Sequence, residues 1–101
     1  MERLTLISAT EAPIKIPTVV GQKKQITLEI FGTASSATVN FLCRSISLAE
    51  YPIMGVRLSD LATGTSGGLK EVWRFDVSGL SAFIVDVKTI TGGNVSVIGD
   101  W

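Results

Sequence analysis

No histidine occurs in this chain, and only one cysteine, Cys43. The first absence removes the commonest general base, the commonest zinc ligand and every Ser-His or Cys-His nucleophile pair. A lone cysteine without histidine cannot assemble a structural zinc site, and it excludes an internal disulfide. Neither phosphate-cradling motif, G-x-x-x-x-G-K-[ST] or G-x-G-x-x-G, is present. Gly64-Thr65-Ser66-Gly67-Gly68 lacks both the lysine and the helix that such a loop needs. No apolar run approaches the roughly 20 residues of a membrane helix. The opening Met1-Glu2-Arg3 lacks the basic start and unbroken apolar run of a signal peptide, so cytoplasmic synthesis is expected.

Charge is also scarce. Charged residues make up 18% of the chain, against about 25% in ordinary soluble domains. Nine basic and nine acidic residues cancel. They are interleaved, which leaves no electrostatic footprint for nucleic acid or an anionic membrane. With 46% hydrophobic residues, the chain is short of polar surface. Small neutral domains of this kind tend to associate. The competing reading is a compact monomer whose surface is made of Thr and Ser.

What is present is alternation at period two. The 101 residues suffice for one domain, spanning 1–101. Residues 3–8 alternate with Leu4 and Leu6 on one face. Residues 14–19 alternate too, but Pro17 cannot donate to a ladder, which makes this an edge strand, with Lys15 as a further deterrent to strand addition. After the polar turn Gly21-Gln22-Lys23-Lys24, residues 25–31 place Ile26, Leu28 and Ile30 inward. Residues 38–44 do the same with Val39, Phe41 and Cys43, so Cys43 reads as an inert core thiol. Residues 45–50 fit either a continued strand or one helical turn. Residues 53–59 form the next strand, with Gly55 as a candidate bulge. Residues 60–68 are the loosest stretch, expected to be a mobile loop.

The stretch from Glu71 to Gly99 fixes the fold class. Trp73, Phe75 and Val77 share one face, and Phe83, Val85 and Val87 share another. A three-residue hairpin loop at Gly92-Gly93-Asn94 pairs Thr91 with Val95, Thr89 with Val97 and Val87 with Gly99. That register keeps Val85, Val87, Val95 and Val97 on one side, whereas a two-residue loop exchanges the faces. About eight short strands without a long amphipathic segment predict an all-β chain: a single antiparallel β-sandwich, preferably of jelly-roll type.

Candidate chemistry is thin. Asp76 and Asp86 could in principle form a glycosidase carboxylate pair, but beside Arg74 and Lys88 they read as cross-strand charge pairs. Asp60, Thr63 and Thr65 are the one clustered oxygen set for calcium, and they read as a solvated loop. No catalytic, cofactor or metal residue is assigned. Phe31, Leu42, Ile84 and Ile90 fall on outward faces, where a contiguous patch would mark a contact surface. Trp73 is in phase with the core. Trp101, with no strand beyond it, either folds back onto the sheet or packs on a neighbour. Phe31, Tyr51 and Trp101 are therefore the interface or ligand candidates.

The segment Trp73-Arg74-Phe75-Asp76-Val77-Ser78-Gly79-Leu80, followed by Phe83-Ile84-Val85-Asp86-Val87 and Gly93-Asn94-Val95-Ser96-Val97-Ile98-Gly99, resembles the closing strands of small β-sandwich virion proteins of tailed bacteriophages and prophages. The likeness covers the last third of the chain. It implies a non-enzymatic head- or tail-associated structural protein that assembles in several copies or with other virion proteins. The alternative from the residues is a carbohydrate-binding module resting on Tyr51, Trp73 and Trp101.

Overall fold

The computed structural model describes residues 3–101. Eleven strands follow in order: β1 (Arg3–Thr10), β2 (Ile14–Val19), β3 (Gln25–Phe31), β4 (Ser36–Arg44), β5 (Glu50–Pro52), β6 (Gly55–Arg57), β7 (Thr63–Gly64), β8 (Ser66–Gly67), β9 (Glu71–Asp76), β10 (Ala82–Thr91) and β11 (Val95–Asp100). They form two antiparallel sheets packed as a sandwich. One has the order β1-β11-β3-β9-β6-β7, the other β2-β10-β4-β5, with β8 also on β4. Successive long strands alternate between sheets, and the pairing is nested: β1 with β11, β2 with β10, β3 with β9.

The inward residues read from the alternation form the core. Ile26, Leu28, Ile30, Val39, Phe41, Trp73, Phe75, Val77, Phe83, Val85, Val87, Val95 and Val97 are all buried. Rings from the two sheets interlock, with Phe41 and Phe75 centroids 4.7 Å apart and Phe75 and Phe83 4.8 Å apart. Cys43 is buried, and burial pushes its thiol pKa up, which keeps it protonated and inert. β2, carrying Pro17, is an edge strand.

The hairpin expected at Gly92-Gly93-Asn94 does not form. β10 and β11 lie in different sheets, and the turn is an arch that crosses the sandwich. All four valines still face the core, because each sheet turns its inner face to the other. The glycines instead permit two arches to nest. Ala34 N–H donates to Asn94 O at 3.1 Å, and Ser35 N–H donates to Thr91 O at 2.8 Å. Gly93 has φ 150°, and a Cβ on it would lie 2.6 Å from the backbone of Thr33 and Ala34.

Bulges account for two further differences. The β1–β11 register shifts between Thr5 and Ile7, so Ile7 is buried beside a half-buried Leu6, while Leu4 is exposed. The β10–β4 register shifts between Val87 and Thr89, which turns Ile90 inward against the core. The strand expected over 53–59 is broken. Residues 50–52 pair with β4 in one sheet and 55–57 with β9 in the other. Gly55 is no bulge: a Cβ there would sit 2.3 Å from the Phe75 ring. Residues 45–49 form a turn outside any strand or helix, closed by Leu48 N–H to Ser45 O and Ser45 N–H to Ala49 O. Ile46 is left 91% exposed.

Residues 60–68 are a held segment, not a loose loop. They contribute β7 and β8, and Thr65 O accepts from Phe41 N–H at 2.9 Å.

Candidate functional site

Three regions carry polar organisation. The first is built on Glu71, in phase with Trp73 on an otherwise apolar inner face. A carboxylate there needs partners, and it has three. Glu71 Oε1 accepts from Trp73 Nε1–H at 3.0 Å and from Gly68 N–H at 2.9 Å. Its Oε2 accepts from Arg57 at 3.3 Å. Arg57 also grips Asp60 through two bonds, at 3.0 and 2.7 Å, and its guanidinium lies 5.9 Å from the Trp73 ring centroid. The bond from Arg57, with Ala62 N–H behind it, lowers the Asp60 pKa to about 2, and Asp60 in turn raises that of Arg57. This node pins residues 57–71 over the sandwich. It also uses Asp60, the residue that a calcium site would need, and no cluster of three acidic or thiol ligands exists among the described residues.

The second region is the outer face of the sheet containing β10. Ile84 is fully buried there, between Pro17 and Leu42 in register. The Lys15–Glu50–Arg44 ion-pair chain runs from edge strand β2 to β5, across β10 and β4. Hydrogen bonds from Lys15 and then Arg44 hold the Glu50 carboxyl below its ordinary range. Asp86, only 8% exposed, faces Lys15 and Asn40 in register and pairs with Lys88 at 3.4 Å. The expected cross-strand pairing of Asp86 with Lys88 is thus a contact within one strand. Asp76 accepts from Ser78 N–H at 3.0 Å, shaping the following turn, and makes no ion pair with Arg74. Both carboxylates are engaged locally, Asp76 by Ser78 N–H and Asp86 by Lys88.

The third region is one end of the sandwich, where residues 20–25, 45–49 and 77–82 converge. Val20 N–H donates to Ser81 O, Ser81 N–H to Arg44 O, Ser81 Oγ to Ser45 O, and Val77 N–H to Lys24 O. Val19 is 77% exposed, and Ile46 and Leu48 stand out on their turn. Beside these loops a cleft of about 470 Å³ is lined by Lys23, Lys24, Gln25, Thr27, Asp100 and Trp101.

The candidate aromatics are not brought together. Trp101 folds back, half-buried against the core, with the Lys23 ammonium 5.3 Å from its ring centroid. Phe31 is exposed at the far end of β3 from Thr27, which pairs with Asp100. Tyr51 is exposed on β5, in the opposite sheet. Trp73 is core. The outward set Phe31, Leu42, Ile84 and Ile90 forms no single patch, since Ile84 is buried and Ile90 faces the core. Sequence reasoning passed over Glu71, although a charge in phase with Trp73 and Phe75 was its signal. It also passed over Lys23 and Lys24, which carry no signal until Trp101 is placed beside them.

Comparison with known proteins gives a family. The XepA family model matches residues 1–101. The phage-like element PBSX protein XepA of Bacillus subtilis (strain 168) is 40% identical over 73 residues, 71% of this chain and 26% of that protein. YqxG of the same organism is 32% identical over 85 residues, 82% of this chain and 28% of that protein. The SPbeta prophage-derived protein YomS is 29% identical over 82 residues, 80% of this chain and 69% of that protein. This chain thus spans about a quarter of the length of XepA and YqxG. The crystal structure described as PBSX exported protein XepA superposes with TM-score 0.93 and 31% identity over 97% of this chain and 36% of that one. That of SPBc2 prophage-derived YomS gives 0.90 and 27% over 97% and 88%. The chain belongs to the XepA family.

Proposed function

We propose that this chain is a non-enzymatic structural component of a phage- or prophage-type particle, assembling by self-association or with other particle proteins. The observation that carries the reading is family membership, with relatives named as phage-like or prophage-derived. The interleaved order, β1-β11-β3-β9 facing β2-β10-β4-β5, supports reading the sandwich as a jelly roll. Self-association is supported by the charge-poor composition and by Val19, Ile46 and Leu48 exposed at one end. Strand addition is disfavoured, because β2 carries Pro17, β1 is bulged and β7 has two residues. Contacts between copies then run through loops and faces.

Light scattering during size-exclusion chromatography, over about a hundredfold concentration range, tests this. A defined oligomer that weakens in the double variant Ile46→Ser, Leu48→Ser supports the reading. A strict monomer throughout removes self-association.

A further inference from the structure

We propose that the outer face of the sheet β1-β11-β3-β9-β6-β7 is a contact between two copies of this chain, with Glu29 and Arg74 of each copy paired to Arg74 and Glu29 of the other. It rests on the self-association proposed above and gives that association a surface and a symmetry. The outer faces of the two sheets treat their charges differently. On the sheet containing β10, the Lys15–Glu50–Arg44 chain and the Asp86–Lys88 pair engage five charges within the chain, and the apolar centre, Ile84, is already fully buried. On the opposite sheet Glu29 and Arg74 are exposed. They are diagonal neighbours on β3 and β9, across roughly 7–8 Å. Neither belongs to an ion pair among the described residues.

Around these two charges the face is apolar. Ile98 and Val72 flank Glu29 in register, and Val56 lies opposite Arg74; all three are half-buried. Phe31, two residues along β3 from Glu29 and on the same side of the strand, is 39% exposed. Covering this face takes apolar side chains out of water, but it also desolvates a carboxylate and a guanidinium. The occupant must therefore bring an opposite charge to each. A second copy does so when a two-fold axis lies in the contact plane midway between Glu29 and Arg74, because its Arg74 then sits over Glu29 and its Glu29 over Arg74. Val72 and Thr27, the other two corners of that quadrilateral, lie near the axis and meet their own counterparts. Nucleic acid or an anionic membrane would meet Glu29 with like charge. From strand spacing and rise the face measures about 24 by 20 Å, roughly 500 Å² per copy. That is small for a permanent dimer, so the pair dissociates on dilution.

The test is sedimentation equilibrium of the full chain, from micromolar to millimolar protein, on wild type, Glu29→Arg, Arg74→Glu and an equimolar mixture of the two variants. Wild type is expected to dimerise with a dissociation constant below millimolar. Both substituted positions are exposed, and circular dichroism of each variant should match wild type. Either single variant sets like charges against each other at two places in the pair, and its dissociation constant is expected to rise at least about tenfold. In the mixture unlike charges face each other at both places, and association returns to wild-type strength. A single variant that associates as wild type does overturns the proposal and leaves self-association standing. So does a mixture that binds no tighter than its components, or weakening confined to Ile46→Ser, Leu48→Ser, which places the contact at the loops. Wild type that stays monomeric at millimolar protein overturns this contact and the self-association reading together.

Discussion

At the end of the sandwich where residues 31–36 meet 91–95, backbone lies against backbone. At the other end, formed by residues 20–25, 45–49 and 77–82, aliphatic side chains stand into solvent. The first end is closed by main-chain bonds and by paired bonds between Thr33 and Asn94. The second keeps Leu48 at φ 66° on an exposed turn. A left-handed leucine is unfavourable by about 1–2 kcal/mol, and exposure brings it nothing in return. The glycine end is shaped by folding. The leucine end leaves Val19, Ile46 and Leu48 in solvent.

Substitutions at the two ends sharpen that contrast. Gly93→Ala is expected to have the largest effect, a loss of about 3 kcal/mol or more, since its Cβ meets backbone that cannot yield. Urea denaturation showing a wild-type midpoint would mean the arches are not nested. Between the ends, Glu71→Ala strands the Trp73 and Gly68 N–H groups, at a loss of roughly 2 kcal/mol; the same unfolding curve reads it, and Trp73 emission should shift to the red.

Leu48→Gly at the other end should act in the opposite direction. It relieves the left-handed strain and raises the thermal midpoint, by up to about 1 kcal/mol in stability. A lowered midpoint would show that the left-handed conformation costs Leu48 less than the backbone freedom that glycine adds to the unfolded chain. Smallest is the pH response. The depressed pKa values of Glu50 and Asp60 belong to solvent-open ion pairs, so their contribution is modest. Because both folded values lie below the unfolded ones, the contribution is complete above about pH 5 and is lost as pH falls toward 2. Asp60→Asn should flatten the acid side of a stability-against-pH curve, and a curve unaltered by it would show that this ion pair does not count.

Much of the core was legible because alternation is a local property. Ile26, Leu28 and Ile30, or Trp73, Phe75 and Val77, declare their face whatever they pair with. Connectivity was not legible for the same reason. Gly92-Gly93-Asn94 satisfies a hairpin and a sheet-crossing arch equally, and only the facing arch at 31–36 decides between them. Bulges escaped because one unpaired residue, near Leu6 or Lys88, inverts the phase without a glycine to announce it. Of the candidate site, Trp101 was visible as an aromatic, but its neighbours Lys23 and Gln25 lie some 75 positions away in the sequence and only the fold joins them.

The nested pairing has a consequence for synthesis. β1 pairs only with β11, and β11 also separates β1 from β3. As the chain emerges from the ribosome, its first strands therefore wait, exposed, for their partners. β3 can dock when β9 appears, β2 when β10 does, and β1 last of all. These sheets are complete only once residues 95–100 are available to pair with β3 and to receive β1, and slow folding with a need for protection from premature aggregation follows.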